Sequence, residues 1–318
     1  MVIRQLQYLA ALAREKHFGR AAAACHVSQP TLSAAIRQLE EDLGVPIVER
    51  GQRFKGLTAE GKRVLEWAHR ILADCEALHQ DLSQARHGLT GRLRLGAIPA
   101  ALPAVSLVTA PFSAAHPGVS ITILSQTSIE IQRCLDAFEI DIGMTYLDNE
   151  PLINVRTEPL YRERYILLTA ATGAFAKRRS LRWAEAASVP LCLLTPDMQN
   201  RRILDAIFRS VNRAPAPAIE TNSVLTLCSH VRDGHWSSVV PHTFLHVFGV
   251  PAGMRAIPLV EPEPTHVIGL AIADRDPAPP IAQALMLSAR RQKLQAIVDR
   301  PAGKRAFDRK YLSNDPDK

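Results

Sequence analysis

The 318 residues exceed one ordinary domain and suit two or three. Apolar residues make up 47%, normal for a chain with a sizeable core, and no run of about 18 uninterrupted apolar residues offers a transmembrane helix. The net charge of +7 is unevenly placed: basic and acidic residues stand at 12 to 10 over residues 1–90, 17 to 17 over 91–289 and 9 to 4 over 290–318. Most of the excess lies at the C-terminus, so charge alone does not identify a nucleic-acid binder.

The opening Met1-Val2-Ile3-Arg4-Gln5-Leu6 lacks the basic stretch, apolar core and cleavage site of a secretory signal, so a cytoplasmic location is expected. Cys25, Cys75, Cys134, Cys192 and Cys228 are scattered, with no Cys-x-x-Cys pair and no metal-ligand spacing to histidine. They read as reduced, mostly buried small residues. Neither metal nor cofactor is expected.

In chain order, Leu6, Leu9, Leu12 and Ala13 form an apolar helical stripe that Lys16-His17-Phe18-Gly19 breaks. A short alanine-rich helix spans residues 20–25, His26-Val27-Ser28 makes a turn, and Ser28 caps a third helix whose first turn tolerates Pro30. Leu32, Ile36, Leu39 and Leu43 run down one face of it and Gly44 ends it. Residues 45–57 read as a β-hairpin with a basic tip. Thr58 caps a much longer helix, where Leu65, Ala68, Leu72, Cys75, His79 and Leu82 alternate at three and four, a coiled-coil seam that calls for a partner chain.

After Gly88 to Gly91 the texture changes to strand (92–98), helix (to about 116), strand (119–124), a helix capped by Ser128, and strand (141–145). This repetition implies a parallel, doubly wound sheet. A second α/β lobe follows, with a strand at 190–194 and helices at 201–212 and 224–233. A late strand at 266–273 returns to the first lobe, and residues from 300 onward read as a mobile basic tail.

A helix, a short turn and a second helix with Gln29, Thr31, Ser33 and Arg37 on its exposed N-terminal half have a physical reason to meet DNA. Such a helix fits the major groove, Gln and Arg make bidentate contacts with base edges, and Arg50, Arg53 and Lys55 on the hairpin would lie against phosphates. Spacing alone equally admits an ordinary three-helix bundle with a polar face.

The wording of the segment goes further. Val27-Ser28-Gln29-Pro30-Thr31-Leu32-Ser33, Ile36-Arg37-Gln38-Leu39-Glu40, Leu43-Gly44-Val45-Pro46, Glu49-Arg50 and Leu57-Thr58-Ala59-Glu60-Gly61 closely resemble the N-terminal domain of LysR-type transcriptional regulators. With weaker motifs, the resemblance extends to about residue 298. It implies an α/β chain with a winged helix-turn-helix (1–58), a linker and dimerisation helix (59–90), and a two-lobed periplasmic-binding-protein-like effector domain (91–298). Lobe I would hold about 91–159 and 265–298, lobe II about 160–264, and 299–318 would be the basic flexible tail. It further implies a non-enzymatic, sequence-specific regulator of transcription. Its partners would be double-stranded promoter DNA, a small-molecule effector and further copies of itself in a homodimer and homotetramer, with RNA polymerase a further candidate. Carried over by position, Ser28, Gln29, Pro30, Thr31, Ser33 and Arg37 fall where the family reads DNA, and Arg50 and Arg53 on the wing. Ala34 and Ala35 stand where relatives often have larger polar residues, which shifts weight onto Gln29, Thr31 and Arg37.

The effector is expected in the cleft, at strand ends where helix N-termini converge. The loop at Pro99 and Ala100, the helix start at Ser128, the segment Gln199, Asn200 and Arg201, and Asn222 are the candidates. Family members commonly carry Ser or Thr near Pro99 and Ala100 to hold a carboxylate; here both side chains are apolar. Backbone amides and Arg201 would still favour a small carboxylate or other anion. Ser128, Asn222 and Ser223 also read as plain helix caps, and Arg201 and Arg202 as surface charges.

Two other classes of function compete with this one. An enzyme would use His230, His235, His242 and His246 with Cys228 and Asp233, but no zinc-binding helix motif, nucleophile elbow or phosphate loop is present. A solute-binding protein would suit the two lobes but not the N-terminal unit or the missing signal.

Overall fold

The computed structural model describes residues 1–49, 54–175 and 177–300, with backbone alone for 83–87, 247 and 248. Three helices open the chain: α1 (Ile3–Glu15), α2 (Phe18–Ala24) and α3 (Gln29–Leu43). Each stop and start has a local cause. Lys16 takes a left-handed φ of 51° after α1, and the His17 ring then caps α2 by accepting from the amides of Gly19 and Arg20. Ser28 Oγ caps α3 by accepting from the Thr31 amide at 3.3 Å. Gly44 closes α3 at φ 69°, a conformation that costs glycine least. Leu6, Leu9, Leu12, Ala21, Leu32, Ile36 and Leu39 make the core of this unit. Leu43, expected on the same face, is exposed.

Of the expected hairpin, the described part is one antiparallel bridge between Val48 and Leu57, with the Glu49 amide donating to Gly56 O. Glu40, on α3, anchors it: its Oε1 accepts from the amides of Ile47 and Val48 at 2.7 and 3.0 Å. Thr58 then caps α4 (Ala59–His87) through the Gly61 amide and donates to Pro46 O. Gly61 lies so close to the Ile47 carbonyl that a Cβ there would overlap it.

The seam read along α4 divides. Ala68, with Val64, Leu65, Ile71 and Leu72 partly buried, packs on the helix-turn-helix core, because α1 lies against this half. Ala77 and Gln80 are buried where α4 meets the next domain. His79 is exposed, and the large apolar side chains left bare are Trp67, Leu78 and Leu82, at 61, 58 and 59%. The helix is thus shared between intrachain packing and an exposed apolar face that keeps Leu82 from the expected seam and adds Trp67 and Leu78.

The C-terminal domain begins with β1 (Gly91–Ala97), α5 (Leu102–Ala115), β2 (Val119–Ser125), α6 (Ser128–Asp136) and β3 (Ile142–Tyr146). The chain then runs through β4 (Val155–Glu163) into β5 (Tyr165–Ala170), β6 (Leu181–Arg182), α7 (Trp183–Ala186), β7 (Cys192–Leu194), α8 (Gln199–Ser210), β8 (Ile219–Thr221), α9 (Val224–Arg232), β9 (Ser238–Pro241), α10 (Thr243–Phe248) and β10 (Met254–Val260). It returns through β11 (His266–Ala273) to α11 (Pro280–Arg290) and α12 (Leu294–Val298). Lobe I holds the sheet β2-β1-β3-β11-β4, and lobe II holds β6-β10-β5-β9 with the pair β7-β8.

The parallel strand-helix-strand start of lobe I is as expected, but neither large sheet is parallel throughout. In lobe I, β1, β2 and β3 are parallel, but the returning β11 lies antiparallel to β3 and β4; in lobe II, β5 is antiparallel to β10 and β9. Strands that cross from lobe to lobe re-enter from the opposite end, which reverses their direction. β4 also keeps its lobe I pairing as far as Glu163, past the expected boundary at 159. Ser128 is the first residue of α6 and not its cap. Thr127 takes that place in a reciprocal capping box with Glu130. Asp299, assigned to the tail by sequence, accepts from Arg164 at 2.6 Å; residues 301–318 of that tail lie outside the described residues. Asp74 of α4 pairs with Arg275 of lobe I at 2.6 Å, tying the linker to the effector domain.

Candidate DNA interface and effector cleft

The N-terminal half of α3 presents a polar face. Its apolar stripe, Leu32, Ile36 and Leu39, turns inward, which leaves Gln29, Pro30, Thr31 and Arg37 exposed and Ser33 half-buried. Ser28 Oγ and Thr31 Oγ1 are 2.8 Å apart, so these two hydroxyls are organised by the cap as well as outward-facing. Gln38 shares the exposed surface and donates to Asp42 Oδ1; the sequence reading did not single it out, although it lies one residue from Arg37. Arg50 and Arg53 lie outside the described residues; Lys55, beside them, is exposed. The arrangement is a rigid rod of small and bidentate-capable side chains beside an anchored wing, which suits a DNA groove flanked by phosphates.

The expected effector residues do not form one open pocket. Pro99 and Asn222 line a groove of about 820 Å³ between α5 and α9, largely walled by Leu102, Val224, Leu225 and Met254. Ser128 lies on another groove, of about 710 Å³, bounded by α6, the β3–β4 loop and Glu66 of α4. Gln199 and Asn200, at the start of α8, are buried where lobe II closes on lobe I. Gln199 Nε2 donates to the carbonyl of Asn149, and Asn200 Nδ2 to the Tyr146 hydroxyl at 2.9 Å. Arg202 adds an ion pair across the same seam, to Glu150.

Two expected anion donors are occupied. Arg201 is 8% exposed at its side chain, paired with Glu220 at 2.6 Å and Asp205 at 2.9 Å and donating to Leu194 O. At the Pro99–Ala100 loop, the amides of Ala101 and Leu102 both donate to Ile98 O, and Pro99 has no amide proton to offer. Ala100 is buried at 1%.

Behind the seam is a group the sequence reading missed. Glu163 at the end of β4 is fully buried, and Tyr146 donates to its Oε1 at 2.5 Å. Burial pushes its carboxyl up to about 8, although the Tyr146 and Tyr165 hydroxyls pull it partly back down. No local pattern marks it, because its neighbours come from β3, β5 and α8. The histidines weighed for catalysis are dispersed: His230 Nδ1 lies 2.8 Å from Thr226 O, and His242 Nδ1 accepts from the Arg164 amide. Among the described residues no group of three or more His, Cys, Asp or Glu is placed to hold a metal ion, and no helix is long and apolar enough to cross a membrane.

Comparison with known proteins agrees with this layout. Residues 3–62 match the family described as bacterial regulatory helix-turn-helix protein, lysR family, and residues 86–293 match the LysR substrate binding domain. The chain is 29% identical over 280 residues to the DNA-binding transcriptional dual regulator OxyR of Escherichia coli K12, covering 87% of this chain and 91% of that one. It is 28% identical over 281 residues to the hydrogen peroxide-inducible genes activator of Haemophilus influenzae, covering 87% and 92%. A full-length OxyR variant from Pseudomonas aeruginosa superposes with a TM-score of 0.73 at 27% identity, covering 92% of this chain and 99% of that one. With a matched helix-turn-helix ahead of a matched effector domain, this chain belongs to the LysR family of transcriptional regulators and is not an enzyme.

Proposed function

We propose that the protein reads a promoter sequence through α3 and that a small molecule held between the two lobes adjusts that binding. The observation that carries the reading is the outward face of α3, where Gln29, Pro30, Thr31 and Arg37 stand exposed on a helix whose cap, Ser28, and whose wing anchor, Glu40, are both satisfied. Ser33 sits at the edge of this face. Arg50 and Arg53 are assigned to the phosphates by their sequence position between Val48 and Leu57. Pairing of two chains through Trp67, Leu78 and Leu82 would set two copies of α3 on a partly palindromic site, and a homotetramer would occupy two such sites. RNA polymerase is the partner through which occupancy would change transcription.

The effector site is assigned to the seam between α8 and the β3–β4 loop, with Gln199 and Asn200 in it; Ser128 lies on one separate groove, Pro99 and Asn222 on another, and Ala100 is buried. A small carboxylate, expected from backbone amides together with Arg201, loses one of these two supports because Arg201 is committed to Glu220 and Asp205. A thiol response to peroxide at Cys192 or Cys228, both in the core of lobe II, is not supported either. None of the residues closing the seam is a cysteine, and burial pushes Cys192 and Cys228 up to about 11, which leaves little reactive thiolate.

Selection of bound fragments from sheared genomic DNA tests the regulator reading. Enrichment of one interrupted dyad is expected, and unrelated fragments recovered in proportion to their abundance would refute it.

A further inference from the structure

The lobes meet at a seam built around a buried acid, where unpartnered acceptors stand beside the unpartnered hydroxyls of Tyr161 and Tyr165. Glu163 is wholly buried with its Oε2 lacking a hydrogen-bond partner, and Gln199, 2% exposed, has an unpartnered Oε1. Both atoms are acceptors only or, for Glu163, acceptors once ionised. The groups facing Glu163 come from every element around it: Tyr146 on β3, Tyr161 on β4, Tyr165 on β5, Asp148 in the β3–β4 loop and Asn200 on α8 by way of Tyr146. His266 on β11 packs its ring 6.0 Å from that of Tyr146 and 6.3 Å from that of Tyr165, with Nδ1 3.4 Å from Asp148. The nearby arginines are spent elsewhere, Arg201 on Glu220 and Asp205 and Arg202 on Glu150. The seam therefore combines a carboxyl, a second acid close by, an unmatched amide oxygen, two unmatched tyrosine hydroxyls able to accept as well as donate, and aromatic rings, with no uncommitted arginine among the residues just described. Such a set is complementary to a donor-rich positive charge.

We propose that the interlobe seam selects a small organic cation, a primary ammonium or a guanidinium, with Glu163 as its counter-carboxylate. This rests on the reading of that seam as the effector site. Entry requires the Asn200–Tyr146 and Gln199–Asn149 bonds to give way, so ligand binding and the angle between the lobes are coupled. The charge balance is definite. Glu163 begins as the neutral acid at pH 7, the cation enters, the carboxyl proton leaves to solvent, and a carboxylate–cation pair remains.

The test uses the full-length protein, agmatine and propylammonium as cationic probes, and succinate and benzoate as anionic ones. Titration calorimetry in phosphate and in HEPES, whose ionisation heats differ and neither of which is a primary ammonium or a guanidinium, counts protons. The expected result is cation binding with release of about one proton per chain at pH 7, falling towards none at pH 9. Glu163→Gln is expected to abolish both the binding and the proton release, and Tyr146→Phe to weaken binding about tenfold. Circular dichroism confirms that each variant is folded. Binding of succinate or benzoate in place of the cations would overturn the proposal, as would cation binding untouched by Glu163→Gln. Binding of neither class would also overturn it. A DNA shift measured on the same samples separates the two readings: its absence counts against the regulator, whereas the calorimetric result counts for or against the ligand class.

Discussion

Replacing Glu163 by glutamine should stabilise the protein, and by an amount that grows with pH. The group is 0% exposed and its carboxyl is pushed up to about 8 from an ordinary 4.5. Between those values the unfolded chain has released a proton that the folded chain still holds, so fewer protons are bound on unfolding and stability falls as pH rises. The loss begins near pH 4.5, accumulates through the neutral range and levels off above about 8. Integrated between pH 5 and 8, a shift of this size amounts to roughly 3–4 kcal/mol. For an effector domain of about 200 residues, that corresponds to a difference of roughly 10 °C in melting midpoint. Glutamine keeps the acceptor that Tyr146 uses and removes the titration. Thermal melts of wild type and Glu163→Gln every half unit from pH 5 to 9 should therefore show curves that separate progressively up to about pH 8. Curves parallel across that range would mean that Glu163 does not titrate as a buried acid, and the electrostatic account of the seam would fail.

Three further outcomes follow from the same packing. Gly61→Ala forces a methyl into the Ile47 carbonyl, so it should cost about 1–3 kcal/mol and weaken DNA binding through a displaced wing; an unchanged melting midpoint and affinity would contradict the close approach. Leu78→Asp with Leu82→Asp removes two exposed leucines worth about 2 kcal/mol each when buried, so self-association should weaken by about a thousandfold; unchanged mass by sedimentation would place the dimer seam elsewhere. Brief peroxide exposure at pH 7 should leave Cys192 and Cys228 reduced, as read by alkylation and mass spectrometry; rapid oxidation of either would reopen a thiol-sensing role.

Features set by neighbours in sequence were the most legible. Ser28 and Gly44 bound α3 as their chemistry requires, and the stripe Leu32, Ile36 and Leu39 turns inward as its period demands. Long-range competition is where the reading strayed. Leu65, Ala68 and Leu72 have the spacing of a chain-pairing seam, but α1 lies over them, and no period along α4 alone reveals that. Arg201 looks free in sequence because Glu220, its partner at 2.6 Å, arrives 19 residues later on β8. Glu163 sits in a stretch, Tyr161-Arg162-Glu163-Arg164, whose alternating charges read as solvent-facing. It is buried because β4 crosses between the lobes at that point and Tyr146 and Tyr165 close around it.

The most direct test of the central claim is a gel-shift titration of the full-length protein against the intergenic DNA upstream of its own gene, with excess nonspecific competitor at near-physiological salt. Arg37 is exposed on α3, so Arg37→Ala should cost about 1–3 kcal/mol of specific affinity while nonspecific binding changes little. A discrete complex that survives competitor and is weakened in this way is the predicted result. Equal affinity of wild type and Arg37→Ala for every fragment, specific and competitor alike, would contradict the claim that α3 reads the sequence.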